Sequence, residues 1–463
     1  MIQISKSTST DIEQIASKHW EFLEPQLNKR IGDALEQRTY IELASSLHNE
    51  VKEMLEWFGE NLSEIVMGKP SVLNKMNKDF ETDNPVIFNV LKQEQILKVK
   101  PVTNYILKIF DYKKFCDHEM KPYYTQEVEK LKNIIDITKK QKMRNGIKQE
   151  NIIPFFIEIK INIIDKINSS FVNESDGFAL ESISSLLERI GNLPVSLDEK
   201  PLKIDDVRKS IKTEINKSIK QFDEKNEITL LNFGKYREKY RTDWGPYQLI
   251  MELGLNVCPY CNRQYISTYY SQKGRTRGDL DHFFPKTLYP FLSLSFYNLI
   301  PSCKVCNSSL KGSKEFEYGK YIHPYEEGFE DKVIFTYNIE EVESFTDQDK
   351  INIELDRNKK IDVSEDFWKN AERNKEIFKL VPLYNMHKDI VANMIRIRQS
   401  HSDDAIESLM KQHPELFGSE QEVIEMLLFS HLDLKQYDKK ILSKLVRDIA
   451  VELKFIERNS VNS

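Results

Sequence analysis

Apolar residues recur at three- and four-residue intervals through the first half of the chain. Ile12, Ile15 and Ala16, then Met54, Leu55, Phe58, Leu62 and Ile65, then Val128, Leu131, Ile134 and Ile135 each fall on one face of a helix. Gly68, Pro70 and the Asp83-Asn84-Pro85 turn interrupt the first block, and Asn145-Gly146 and Pro154 the next. Residues 169–176 are rich in Ser and Asn and read as a loop before a helix over 180–190, which Gly191 is placed to cap. Residues 200–240 carry a stripe of Ile204, Val207, Ile211 and Ile215 among Lys203, Arg208, Lys209, Lys212, Lys217 and Lys220. Acidic residues are mixed through that stretch and cancel its field. A solvated face beside a packed one is therefore the better reading than a nucleic-acid-binding helix.

The texture changes after residue 250, where aromatics, cysteines and Gly turns replace helical periodicity until about Gly319. Val333, Phe335 and Tyr337, then Ile351, Ile353 and Leu355, alternate with polar neighbours and predict two strands joined through the acidic 340–349 turn region. Helical spacing returns over 365–457, closing on a long amphipathic helix over 434–454. The expected fold class is mainly α with a small α+β insertion. Its divisions are an N-terminal helical region (1–125), a charged helical middle (126–245), a cysteine-bearing domain (246–325), a short β-rich extension (326–360) and a C-terminal helical region (361–463).

With 463 residues the chain can bury at least one sizeable core, and 40% hydrophobic with 30% charged residues is globular material with wet surfaces. The net charge of -6 excludes a protein that coats nucleic acid through bulk charge. Contact with nucleic acid must use a local patch, and the acidic balance leaves room for a protein partner. No apolar run approaches the roughly 18 residues of a membrane span, and the N-terminus lacks signal-peptide layout. A cytoplasmic address is expected. No G-x4-G-K-S/T phosphate loop occurs, so any ATPase would be a separate subunit.

Four of the five cysteines form two C-x2-C pairs, Cys258/Cys261 and Cys303/Cys306. In a reducing compartment that spacing is tetrahedral zinc ligation, each knuckle turning two thiolates toward one ion. Cys116 stands alone and reads as a small packing residue. Tyr265 to Tyr270 has strand composition, 271–277 is a polar turn, and Gly278 to Phe284 is expected to return antiparallel beside it, with a short helix starting near Cys303. Inside that frame remain a carboxylate, an imidazole and an amide: Asp281, His282 and Asn307. Adjacent strand residues face opposite ways, so the two must divide their labour. Asp281 with the amide oxygen of Asn307 suits a hard divalent cation, and His282 is left to take a proton from water.

The sequence C-x2-C at Cys258/Cys261, Asp281-His282, Asn298, and C-x2-C-Asn at Cys303/Cys306/Asn307 with Lys311 beyond resembles the HNH (His-Me finger, ββα-metal) endonucleases in their four-cysteine form. The wording Asp281-His282-Phe283-x-Pro285 and Asn298-Leu299-x-Pro301 looks most like HNH nucleases of bacterial anti-phage systems such as the Septu type, which often work beside a separate ATPase. The resemblance covers about 60 residues. It implies structural Zn²⁺ on the four cysteines, and catalytic Mg²⁺ or Mn²⁺ on Asp281 and Asn307. It further implies His282 as general base, Asn298 bracing the loop that orients it, and nucleic acid as substrate, with DNA ahead of RNA. The family's last motif position is either Asn or His, and Asn here favours the harder metals.

Lys273, Arg275, Arg277 and Lys286 surround the expected turn and read as phosphate contacts, with Lys304, Lys311 and Lys314 extending the patch. His323, in Tyr321-Ile322-His323-Pro324-Tyr325, is either a structural histidine or a further group of the site. Trp244 to Tyr247 reads as a packing anchor. The rival reading is a zinc-stabilised nucleic-acid or protein binding module with no chemistry, since four-cysteine knuckles are common in both. The oligomeric state is open, and a homo-oligomer would supply a second centre for cutting a duplex.

Overall fold

The computed structural model describes residues 1–4, 11–117, 123–140, 147–174, 177–197, 200–225, 228–229, 233, 244–271, 274–339 and 348–457. The chain is mainly helical with a few small sheets. It divides into two units, Met1–His118 with Trp244–Thr268 and Arg277–Ser463, and Glu119–Asp243 with Tyr269–Thr276.

The first unit starts with helix Ile12–Glu36, whose Asp11 cap accepts from the Glu13 N–H. Ile12, Ile15, Ala16, His19, Leu23, Leu27 and Ile31 form its buried stripe. The sequence breaks at Pro70 and Pro85 are helix beginnings: Pro70–Asp83, Pro85–Leu97 and Pro101–Ile109 each open on proline, whose missing N–H has no partner to lose in a first turn. These helices are not a separate domain from the cysteine-bearing segment. Phe58 and Phe80 meet Phe291, Phe80 at 4.6 Å between ring centroids, Phe110 meets Phe58 edge-on, and the Ser293 hydroxyl donates to the Phe110 carbonyl at 2.8 Å.

Val333–Ile339 pairs antiparallel with Ile351–Arg357, from Val333 opposite Arg357 to Ile339 opposite Ile351, as the alternation predicts; the 340–347 part of the expected turn lies outside the described residues. The closing helix is shorter than its stripe suggests. Only Ser443–Glu452 is α-helical, after a 3₁₀ turn at Leu434–Gln436. Its interior buries Lys444, Arg447 and Asp448, with the Lys444 ammonium paired to Asp448 and Arg447 to Asp331 at 2.6 Å.

The second unit packs helices Tyr123–Lys140, Ile152–Ser170, Gly177–Gly191 and Ile204–Lys225 around Leu131, Ile134, Phe156, Ile163, Leu186, Ile211 and Phe222. The Arg189 guanidinium binds Glu214 at 3.0 Å and Ser218 at 2.6 Å. On Ile204–Lys225, Arg208 pairs with Asp205 and Lys217 with Glu214 within the helix, which is the solvated-face arrangement. A small antiparallel sheet of Ile228–Thr229, Tyr269–Tyr270 and Arg275–Thr276 completes this unit.

Candidate active site and metal centre

The strand carrying the acid and the imidazole is Asp279–His282, and its partner is Leu299–Ser302, with Asp281 opposite Ile300 and His282 opposite Leu299. This corrects the expected hairpin. Tyr269–Tyr270 pairs with Arg275–Thr276 in the other unit, so the residues nearest in sequence do not supply the site's second strand. Leu280, Leu299 and Ile300 are buried, and that apolar set fixes the register. Gly278 leads into the strand where a Cβ would come within 3.0 Å of the Ile266 Cβ and 3.3 Å of the Ser302 carbonyl.

Asn298 closes the loop between the two strands. Fully buried, it accepts from the Phe284 N–H at 2.7 Å and donates to the carbonyls of Phe284 at 3.2 Å and Leu292 at 2.9 Å. All three amide capacities facing the loop are thus met by backbone. The following helix, Val305–Lys311, is a π-helix, a form that recurs at functional sites. It ends where Gly312, at φ 54° and ψ -127°, a region open essentially to glycine, donates to the Asn307 carbonyl at 2.8 Å.

The four cysteines converge. Their Sγ atoms all lie within 4.8 Å of one another, Cys261 and Cys303 at 4.0 Å, and all four residues are buried. Backbone N–H groups of Arg263 and Cys306 point at the sulfurs of Cys261 and Cys303, each at 3.4 Å. Hydrogen bonding from the other three sulfurs holds the Cys303 thiol far below its ordinary range, whereas burial pushes Cys258 up. Buried negative sulfur needs a cation, and a tetrahedral ion with bonds of about 2.3 Å would set sulfurs about 3.8 Å apart. The donor set fits zinc.

Knuckle and strand are joined by Tyr260, whose hydroxyl donates to Asp281 Oδ2 at 2.7 Å. The other Asp281 oxygen accepts from the Lys311 ammonium at 2.9 Å, and that ammonium also donates to the His282 carbonyl. Lys311 is 3% exposed and Asp281 3%. Lys311, expected as a phosphate contact, lines the cavity, but the last turn of the π-helix carries it inward, where a buried carboxylate holds it.

His282 donates through Nε2 to the Ser293 carbonyl at 2.9 Å, because a carbonyl can only accept; Nδ1 keeps its lone pair. Tyr112 meets the ring edge-on at 4.5 Å and donates its hydroxyl to the Leu280 carbonyl. Burial, with Lys286 adding, pushes the His282 pKa down to about 3, so the ring is neutral at pH 7. Asn307 donates to Asp279 Oδ2 at 3.1 Å. Asp279, Asp281, His282, Asn307 and Lys311 line one cavity of about 430 Å³, together with Tyr112, Arg277, Lys286 and Lys314.

Of the proposed phosphate contacts, Arg277 and Lys286 reach this cavity; Arg275 belongs to the second unit, and Lys273 lies outside the described residues. His323 is not in the lining. It is buried against Phe283 at 4.2 Å, with the Tyr325 N–H on Nδ1 at 3.3 Å, and burial pushes its pKa down to about 3. Trp244 is a packing anchor, its indole N–H donating to buried His19 at 2.9 Å. The sequence reading overlooked Asp279, Tyr260 and Tyr112. Asp279 was findable, being two residues from Asp281 and hence on the same strand face. Tyr112 comes from a distant helix and carries no local signal.

A divalent cation in this cavity would find hard oxygens on Asp279, Asp281 and Asn307, which suits Mg²⁺ or Mn²⁺ chemistry. The Asp281 oxygens, however, are both engaged. No helix is long and apolar enough to cross a membrane among the described residues. No known family profile matches the chain, and no solved structure matches it. It is similar to the Septu protein PtuB of Bacillus thuringiensis, 33% identical over 84 residues, which is 18% of this chain and 30% of that protein.

Proposed function

We propose that this protein is an HNH endonuclease that hydrolyses phosphodiester bonds, DNA ahead of RNA, and acts as an effector of anti-phage defence in the cytoplasm beside a separate ATPase or similar subunit. One observation carries the reading: a neutral imidazole, its tautomer set by the Ser293 carbonyl, opens on a cavity that also holds two carboxylates, an amide and the cations Arg277 and Lys286. The four-cysteine cluster and the similarity to a Septu protein support it.

In this reading Arg277 and Lys286 receive the phosphate, and Nδ1 of His282 takes the proton of the attacking water. A ring with its pKa near 3 is a weak base, and an anionic phosphate in the cavity raises its proton affinity. Asn298 holds the loop that presents Ser293, so it positions His282 without touching substrate. Asp279, Asp281 and Asn307 would hold Mg²⁺ or Mn²⁺, which supplies charge stabilisation on the phosphate and leaving oxygen. By family resemblance cleavage leaves a 5′-phosphate.

The full engagement of Asp281 by Tyr260 and Lys311 favours a second reading, a zinc-stabilised binding module without chemistry. The deciding experiment incubates plasmid DNA, single-stranded DNA and RNA with the zinc-loaded chain in Mg²⁺ or Mn²⁺, alone and with its partner subunit, and repeats it with His282→Ala. Cleavage that falls by about 10²-fold or more in the variant supports the nuclease. Binding with no cleavage by either protein supports the module.

A further inference from the structure

The cation already sitting in the acid's coordination position is a side chain. Lys311 donates to Asp281 Oδ1 and to the His282 carbonyl, with its ammonium 4.8 Å from the centroid of the Phe316 ring, while Tyr260 takes the remaining Asp281 oxygen. A divalent ion on Asp281 would bring its charge to within a few ångströms of the ammonium, and like charges that close in a buried place repel strongly. Asp281 as a metal ligand therefore disfavours Lys311 in its observed place. The lysine stem is long and flexible, and Lys311 lines the cavity at the end of the π-helix, beside exposed Gly312 and Ser313.

We propose that Lys311 is a tethered counter-cation that closes the metal-free site, and that a divalent ion loads by exchange, entering at Asp279 and Asn307 and displacing the ammonium from Asp281 into the cavity. The proposal rests on the nuclease reading of this cavity. It makes Lys311 a device that keeps the acid buried and neutralised until metal arrives, after which the freed ammonium lies in the cavity among Arg277 and Lys286, where an entering phosphate would meet it.

The test uses the zinc-loaded full chain and Mn²⁺ as probe. Free Mn²⁺ is read by electron paramagnetic resonance, and lysine accessibility by brief acetylation and mass spectrometry, with exposed Lys314 as the internal reference. Without Mn²⁺, Lys311 is expected to be protected relative to Lys314; with the site saturated, its acetylation rises about tenfold. Lys311→Met binds Mn²⁺ about tenfold more tightly than the native chain, and Asp281→Asn more weakly. Lys311 equally protected with Mn²⁺ bound, or Mn²⁺ affinity unchanged or weaker in a zinc-retaining Lys311→Met, overturns the exchange. Should that variant lose its zinc, acetylation of the native chain decides alone. A chain that cleaves while Lys311 stays protected sinks the exchange and leaves the nuclease; one that releases Lys311 under Mn²⁺ but cuts nothing does the reverse.

Discussion

Replacing Asn298 by Ala would remove one side chain and strand three backbone groups: the Phe284 N–H, the Phe284 carbonyl and the Leu292 carbonyl. Each neutral hydrogen bond is worth about 1 kcal/mol net, and the site is buried enough that water does not replace them at once. The loop 283–298 should therefore open about 3 kcal/mol more easily, which is about a hundredfold in its opening equilibrium. Hydrogen exchange followed by mass spectrometry reads this directly, since the Phe284 amide exchanges through that opening. Peptides spanning 283–298 should exchange about a hundredfold faster in Asn298→Ala, with zinc content retained. Asn298→Asp is the sharper variant. It keeps the acceptor for the Phe284 N–H but turns an oxygen toward two carbonyls, so it should protect the loop little better than alanine. Exchange in this loop changing less than about threefold in both variants would show that Asn298 does not hold it.

The chain should copurify with one zinc per molecule, and Cys303→Ser, which removes one of four converging sulfurs, should lose the ion and the protease resistance of 246–325, a loss on the order of 10 kcal/mol of binding-linked folding. His19 is buried neutral, donating to the Leu294 carbonyl and accepting from Trp244, and burial pushes its pKa down to about 4. The unfolded chain takes up that proton near pH 6.5 and the folded one only near 4, so stability is present above pH 6.5 and is lost as pH falls. By pH 5 the loss is about 2 kcal/mol, and urea titrations at pH 7, 6 and 5 should show a shallower decline in His19→Leu; equal slopes in the two proteins would refute it. Gly278→Ala places a methyl against the Ile266 side chain and the Ser302 carbonyl, and a lower thermal midpoint, equivalent to about 1–3 kcal/mol, is expected.

Much of the candidate site is written in short-range spacing. Two C-x2-C pairs suffice to bring four sulfurs together, and the Asp281-His282 and Asn307 positions relative to them suffice to bring those residues to one cavity. What spacing does not carry is pairing between residues far apart. The strand partner of His282 lies beyond the loop 283–298, and local alternation at 265–270 offered a nearer, wrong one. The inward turn of Lys311 is not legible in spacing because a basic residue in the last turn of a helix is usually exposed; only the buried Asp281 opposite makes it favourable. The 434–454 stripe read as one helix because periodicity cannot register that part of it makes backbone contacts elsewhere.

Those contacts go to the first knuckle. Asn262, left-handed at φ 52°, donates to the Tyr437 carbonyl at 2.9 Å and accepts from the Lys444 N–H at 3.1 Å, and the Leu442 N–H reaches its carbonyl. Synthesis runs from the N-terminus, so the ribosome has made both cysteine pairs, Asp281 and His282 long before residue 444 clears the exit tunnel. The turn that aims Cys261 acquires these clamps only once residues 437–444 have been made. A nascent chain thus carries every reactive group in an unfinished setting, and a shortened product ending before residue 437 would keep the motif yet lack the bonds that steady it.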